Sequence, residues 1–302
     1  MHACRSLRLP TALPHRAVPI LLSLWLSISL SLWLSISLAG CVKAPQAASP
    51  APAVVPAPNA DGSLPGYLTP DQMPNSLALV PPPPAPGSAA LALDEAVSRA
   101  AYALKDSARW KQAAIDSNVS FPAAAANFSC ALGVPINETD TPAVYRMMRR
   151  VLTDAGNSTS AAKKQYKRIR PFVVHDQTLC TPEIEADLRS DYSYPSGHNA
   201  LGWAYALILT EMAPDRGDAL LNRGHAFGDN RMVCNAHWQT DALQGRVMGA
   251  AVVSRLQRVP AFHADVERGR AEIARAREKG LPPNAHCQAE AAALAIPLVG
   301  AL

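Results

Sequence analysis

Apolar residues recur at spacings of three and four along most of the chain after residue 88, the period of helices with one buried face. The spacing predicts helices over 94–111, 142–155, 182–188, 216–227, 237–257 and 260–279. Thr141-Pro142 and Thr181-Pro182 each place a capping residue before a proline, the usual opening of a helix. Residues 196–212 are apolar on most faces, which predicts a helix buried all round. The alanine-rich tail 286–302 reads as a last packed helix. No alternating β-branched stretch bounded by turn signals stands out, so the fold class expected is all-α, a single helical domain over 89–302. Two earlier stretches break the pattern. Residues 18–38 form an apolar run, and residues 41–88 have no period, being rich in proline and alanine with Pro81 to Pro84 consecutive. Such a stretch favours extended polyproline conformations and reads as a tether.

The apolar run follows Arg5, Arg8 and Arg16 with no acidic residue, the layout of a secretory signal over 1–40. It ends Leu38-Ala39-Gly40-Cys41, which resembles the lipobox of bacterial lipoprotein signals, with Cys41 as the lipidated residue. About twenty apolar residues would also suffice for a retained membrane anchor. A tandem copy of Ser-Leu-Trp-Leu-Ser-Ile-Ser-Leu at 23–30 and 31–38 supplies six serines that lower its hydrophobicity. Either reading exports the rest of the chain, and the expected location is the periplasm, with the lipid at Cys41 as the membrane partner. Export changes the charge: the formal +4 from 28 basic and 24 acidic residues becomes 25 against 24 once 1–40 is removed. A general affinity for nucleic acid loses its basis. Cys130, Cys180, Cys234 and Cys287 remain, consistent with two disulfides in an oxidising compartment, with three pairings open.

Chemistry concentrates in three segments. Lys163 to Pro171 reads Lys-Lys-Gln-Tyr-Lys-Arg-Ile-Arg-Pro, five cations that must face solvent or an anion. Lys163 and Arg170 are seven apart, so a continuous helix would put both on one face, with Pro171 ending it. Tyr194-Pro195-Ser196-Gly197-His198 stands just before the apolar helix. A helix N-terminus offers unpaired N–H groups to an anion, glycine admits close approach, and Ser196 adds a hydroxyl. The third segment runs Asn230-Arg231 to His237-Trp238-Gln239-Thr240-Asp241. If His237 starts a helix, Asp241 is its i,i+4 neighbour and can fix the tautomer, leaving the other ring nitrogen to attack. The same spacing suits two metal ligands, but no further His/Asp/Glu cluster supplies a third.

Together, Lys163-x6-Arg170-Pro171, Pro195-Ser196-Gly197-His198 and Arg231-x5-His237-x3-Asp241 resemble the signature of the type 2 phosphatidic acid phosphatase superfamily. Arg168-Ile169-Arg170-Pro171-Phe172, Ser193-Tyr194-Pro195-Ser196-Gly197-His198 and His237-Trp238 are most similar to the bacterial class A non-specific acid phosphatases, and the likeness covers roughly 66–258. The resemblance implies an all-α fold and hydrolysis of phosphate monoesters through a phosphohistidine, with no metal or other cofactor. It implies His237 as nucleophile, Asp241 as its orienting partner and His198 as proton donor to the leaving alcohol. Lys163, Arg170, Ser196, Gly197 and Arg231 would hold the phosphate oxygens. An acidic optimum with a bell-shaped profile is expected if His198 is protonated while His237 attacks. Asn230 departs from the serine usual before the arginine. Small phosphate monoesters are the expected partners, nucleotides included, and a homo-oligomer accords with the class. The pocket is shared with lipid phosphate phosphatases and vanadate-dependent haloperoxidases, the alternative activities.

Overall fold

The computed structural model describes residues 57–58 and 64–298. The expected signal over 1–40, the lipidation at Cys41, most of the tether before residue 64 and the last four residues of the tail lie outside the described residues. The described residues are helical, without a strand. In chain order the helices are α1 (Ser76–Leu79), α2 (Ala89–Tyr102), α3 (Ala108–Ser117), α4 (Ala123–Leu132), α5 (Pro142–Ser158), α6 (Ser160–Tyr166) and α7 (Pro171–Val174). They continue with α8 (Glu185–Ser190), α9 (Gly197–Met212), α10 (Gly217–Val233), α11 (Gln239–Leu256), α12 (Pro260–Glu278) and α13 (Cys287–Leu294).

Helix α9 is the axis of the core. It packs against α10, α11, α5 and α12, burying Leu201, Tyr205, Ile208 and Leu209 among Phe128, Met148 and Phe227. Burial on every side explains why α9 reads as apolar all round while its neighbours show a polar face. Close packing depends on a small residue at one point that matters for the site. A Cβ at Gly245 of α11 would strike the Ser196 carbonyl, so only glycine lets α11 rest on the start of α9.

The expected helix over 94–111 is two helices, α2 and α3. Asp106 takes a left-handed φ of 65°, and the Ser107 hydroxyl restarts the chain by accepting from Trp110 N at 3.2 Å. The helix expected to stop near residue 227 runs to Val233, carrying Arg231 in its last turn.

Packing also begins earlier than the predicted boundary at residue 89. Leu64, Tyr67 and Val80 are buried, so 64–88 is a strap packed on the helical body, in keeping with its less repetitive sequence. Asp154 of α5 accepts from Tyr67 N at 2.8 Å and Leu68 N at 3.1 Å. Tyr67 donates to Asp265 at 2.6 Å, and the Arg150 guanidinium lies 3.6 Å from its ring centre. Two disulfides choose among the three open pairings: Cys130–Cys287 ties α13 to α4, and Cys180–Cys234 ties the loop after α7 to the end of α10.

Candidate active site

The three segments meet, though not by the local geometry expected of them. Helix α6 stops at Tyr166 because Lys167 turns left-handed, with φ 48°. Arg170 is extended, and Pro171 opens α7 instead of closing a helix. Lys163 and Arg170 therefore share no helical face. They converge on Asp191: Lys163 Nζ lies 3.1 Å from Asp191 Oδ2, and Arg170 Nη2 lies 2.7 Å from the same oxygen. Lys163 also donates to the Tyr192 carbonyl. Arg170 is held further by the Asp191 carbonyl at 2.9 Å and the Ala236 carbonyl at 2.9 Å.

Ser196 is the N-cap of α9, its hydroxyl accepting from Asn199 N at 3.3 Å. Its own N–H donates to the Asp241 carbonyl at 3.0 Å, joining the second segment to the third. Gly197 and His198 are the first residues of α9, where backbone N–H groups have no partner within the helix. The strap contributes here as well, since Tyr194 donates to the Pro81 carbonyl at 2.6 Å. His198 Nε2 lies 3.0 Å from the Ser117 carbonyl at the end of α3. A carbonyl accepts only, so Nε2 carries the proton and Nδ1 is left with the lone pair. The ring stacks near Phe227, with centroids 6.3 Å apart and planes at 24°.

Arg231 and His237 are brought together by a wrapped loop. The N–H groups of Ala236 and His237 both donate to the Arg231 carbonyl, at 3.0 and 3.2 Å. Asn235 supplies the left-handed φ of 66° that this needs, and Cys180–Cys234 pins the turn. His237 precedes the helix it was expected to start. Trp238 is the N-cap of α11, and Asp241 at the third position accepts from Trp238 N at 2.9 Å. The His–Asp approach thus comes from helix capping: His237 Nδ1 lies 3.4 Å from Asp241 Oδ2. His237 Nε2 lies 3.0 Å from Arg170 Nη1. The Arg231 side chain is fully buried, and none of its three guanidinium nitrogens has a hydrogen-bond partner among the described residues.

A cluster of buried and half-buried cations with one guanidinium unpaired among the described residues could hold an anion. The PAP2 superfamily model matches residues 147–263, a span that takes in all three segments. The chain is 43% identical over 208 residues to a non-specific acid phosphatase of Salmonella typhimurium, covering 68% of this chain and 83% of that protein. It is 37% identical over 213 residues to a non-specific acid phosphatase of Providencia stuartii, covering 70% and 86%. An acid phosphatase of Zymomonas mobilis is 34% identical over 208 residues, covering 69% and 79%. This chain belongs to the PAP2 superfamily.

In this candidate site the charges act on one another strongly. Burial, then Arg170, pushes the Lys163 ammonium down to about 8, against the pull of Asp191. Burial, then Arg170, pushes Arg231 down to about 9. His237 is held well below its ordinary value by burial and then by Arg170, Lys163 and Arg231, so it is neutral and its Nε2 keeps a lone pair. His198 is lowered by burial and Arg231, with further contributions from His237 and Arg170. In the free protein burial and Arg231 thus work against the protonated His198 expected at acidic pH. Burial raises the Asp241 carboxyl, and Arg168 opposes it most strongly.

Asn230, the departure from the family's serine, bridges two buried partners. Its carbonyl accepts from Arg109 Nε at 2.5 Å, and its amide donates to Asp116 Oδ2 at 2.7 Å. A serine would have to serve both with one oxygen. Several residues of the candidate site carry no mark in the sequence. Asp191 stands three residues before Tyr194 and Ser117 far upstream, neither with a periodicity or spacing to single it out. Arg168 lies inside a family motif but is one of five neighbouring cations. Among the described residues no group of three His, Cys, Asp or Glu side chains is placed to hold a metal ion. No described helix is long and apolar enough to cross a membrane.

Proposed function

We propose that the acid phosphatase activity of this chain is hydrolysis of phosphate monoesters through a phosphohistidine on His237, without a metal, outside the cytoplasm. The observation that carries this reading is His237 itself: its value depressed, with Nδ1 facing Asp241, Nε2 beside Arg170, and the charges of Lys163 and Arg231 acting on the ring. Lys163, Arg170 and Arg231 would neutralise the phosphoryl oxygens, with the Ser196 hydroxyl and the first N–H groups of α9 as further donors. Nε2 attacks phosphorus and the bond to the ester oxygen breaks. That oxygen takes, as the N–P bond forms, the proton that His198 Nδ1 has received from the incoming monoanion. Water then gives a proton to His198 and attacks phosphorus, the N–P bond breaks, and inorganic phosphate leaves with His237 restored.

The depressed His198 bears on where that proton comes from. A phosphate monoester has its second pKa near about 6. Below that pH it arrives as a monoanion carrying a proton, and once the cations hold it as a dianion, its charge favours that proton on His198. An acidic working range follows from the substrate as much as from the enzyme. In support of export stand the layout of residues 1–41 and the two disulfides.

The test is chemical trapping. Acid-labile phosphoenzyme should form with an aryl phosphate in the presence of EDTA and vanish in His237→Ala. Trapping that survives in His237→Ala reassigns the nucleophile, and loss of turnover on chelation rejects the metal-free route. For the anchor, Cys41→Ser should release the protein from membranes.

A further inference from the structure

Outside the groups just assigned, one buried cluster is joined directly to the nucleophile's partner. Arg168 is 9% exposed in its side chain, and both carboxylates it pairs with are fully buried. Its Nη1 donates to Asp241 Oδ1 at 2.7 Å, and its Nη2 donates to Asp94 Oδ2 at 2.6 Å. Asp94 comes from α2, far away in sequence and N-terminal to the family match. It also grips the residue beside Asp241: Thr240 N donates to Asp94 Oδ1 at 2.8 Å and Thr240 Oγ1 to Asp94 Oδ2 at 2.6 Å. Arg168 Nη1 reaches the same Thr240 hydroxyl at 2.6 Å. Its guanidinium lies 5.1 Å from the Trp238 ring, whose Nε1 donates to the Ile169 carbonyl at 2.8 Å.

We propose that Arg168, anchored by Asp94, is a positioning residue that holds the Asp241 carboxylate in line with His237 Nδ1. The proposal rests on the reading of His237 as nucleophile. The two carboxylate oxygens of Asp241 have separate tasks. Trp238 N donates to Oδ2, the oxygen that also faces His237, while Arg168 takes Oδ1. Arg168 thereby sets the rotation of the carboxylate about its last bond. A guanidinium forked between two carboxylates fixes a plane as well as a charge, which a lysine does not. The chain of contacts runs Asp94, Arg168, Asp241, His237, alternating in sign up to a histidine that becomes positive when its phosphate bond forms and breaks.

The charge matters in the same direction. Besides Arg168 and His237, Asp241 feels Lys163 and Arg170 across the site, Tyr194 from the second segment and Asp94 behind Arg168. Burial already raises its carboxyl, with Arg168 the main opposing influence and Trp238 N and Ser193 adding to it. Without Arg168 the carboxyl holds a proton to higher pH and offers His237 Nδ1 only a neutral, weaker acceptor. The defect then deepens as the solution becomes more acidic, whereas a merely structural staple gives a loss that does not depend on pH.

The experiment measures kcat and KM for an aryl phosphate from acidic to neutral pH in Arg168→Gln, Arg168→Lys and Asp94→Asn, with melting curves for each. In Arg168→Gln, kcat falls about 100-fold, less than the loss on removing an orienting aspartate outright. KM changes little, the fall is steepest at acidic pH, and Arg168→Lys recovers part of it. In an Asp241→Asn background, Arg168→Gln has no further effect on kcat, because the two act as a unit. If Arg168→Gln does not fold, Asp94→Asn carries the same signature at smaller size. A pH-independent loss, a loss that multiplies with Asp241→Asn, or an unchanged kcat overturns the proposal. Phosphoenzyme trapped in the wild type and absent in His237→Ala keeps the assignment of the nucleophile separate from that of Arg168.

Discussion

Replacing Arg231 by methionine should make the ligand-free protein more stable while removing its ability to hold phosphate. The guanidinium is fully buried, and its three nitrogens have no hydrogen-bond partner among the described residues. Its pKa falls from the ordinary guanidinium range to about 9, burial being the first cause and Arg170 the second. At about 1.36 kcal/mol per unit, the charged side chain strains the folded state by at most roughly 5 kcal/mol. The sign is that of a cation with a depressed value: the cost is present in full below about pH 9 and fades only above it. Methionine fills much of the volume without the charge, and swaps of this kind gain about 1–4 kcal/mol. For a domain of this size each kcal/mol moves the melting temperature by about 2–4 °C. A gain of about 5–10 °C is expected for Arg231→Met without ligand. Inorganic phosphate at a hundredfold excess over its Kd adds about 2.7 kcal/mol to the wild type and nothing to the variant. The assay is a pair of thermal scans with and without phosphate at one scan rate. A variant that melts below the wild type without phosphate, or that still shifts with phosphate, would contradict this balance of charge and burial.

Three further outcomes test other parts of the molecule. Lys163, pushed down to about 8 by burial and Arg170, loses its proton as pH rises through that value. The inhibition constant of sulfate, an anion that does not titrate there, should rise above about pH 8 in the wild type and stay flat in Lys163→Arg; a flat wild-type curve would contradict the assignment. Because burial and Arg231 hold His198 well below its ordinary value in the free protein, the alkaline limb of kcat/KM should follow the second phosphate pKa of the ester, about 6. Esters that differ in that pKa should shift the limb; one midpoint for all of them would place the proton on free His198. Finally, a chain starting at residue 89 loses the buried Leu64, Tyr67 and Val80, each worth about 1.5–3 kcal/mol. That sum rivals the stability of a whole domain, so the shortened chain should fail to fold or melt far below one starting at residue 64, and equal melting would return the strap to the status of a tether.

What made the site legible and what hid its geometry have the same physical origin. Residue type and the family resemblance together singled out Lys163, Arg170, Ser196, Gly197, His198, Arg231, His237 and Asp241 as candidates, because binding a phosphate demands cations, short donors and a helix start, all of which a linear chain displays. Local geometry departs from the periodic expectation wherever a left-handed residue or a cap intervenes. Lys167 cuts the helix between Lys163 and Arg170. Trp238 caps α11, so Asp241 reaches His237 from the first turn rather than across one. Both devices cost little in sequence, a single backbone angle or a single hydrogen bond, and leave the hydrophobic period unchanged.

The helical class, the buried axis of α9 and the inventory of charged groups are all written in the linear chain, since each follows from periodicity or composition within a short window. Which charges are paired is settled by folding. Asp191 on Lys163 and Arg170, Asp94 behind Arg168, and Asn230 between Arg109 and Asp116 are all contacts between separate elements. Folding also leaves Arg231 unpaired among the described residues and brings the strap from Leu64 into the core. Burial and ion pairing are properties of surfaces brought together from distant parts of the chain, and one proline-rich segment or one lone aspartate carries no local mark of the surface it will meet.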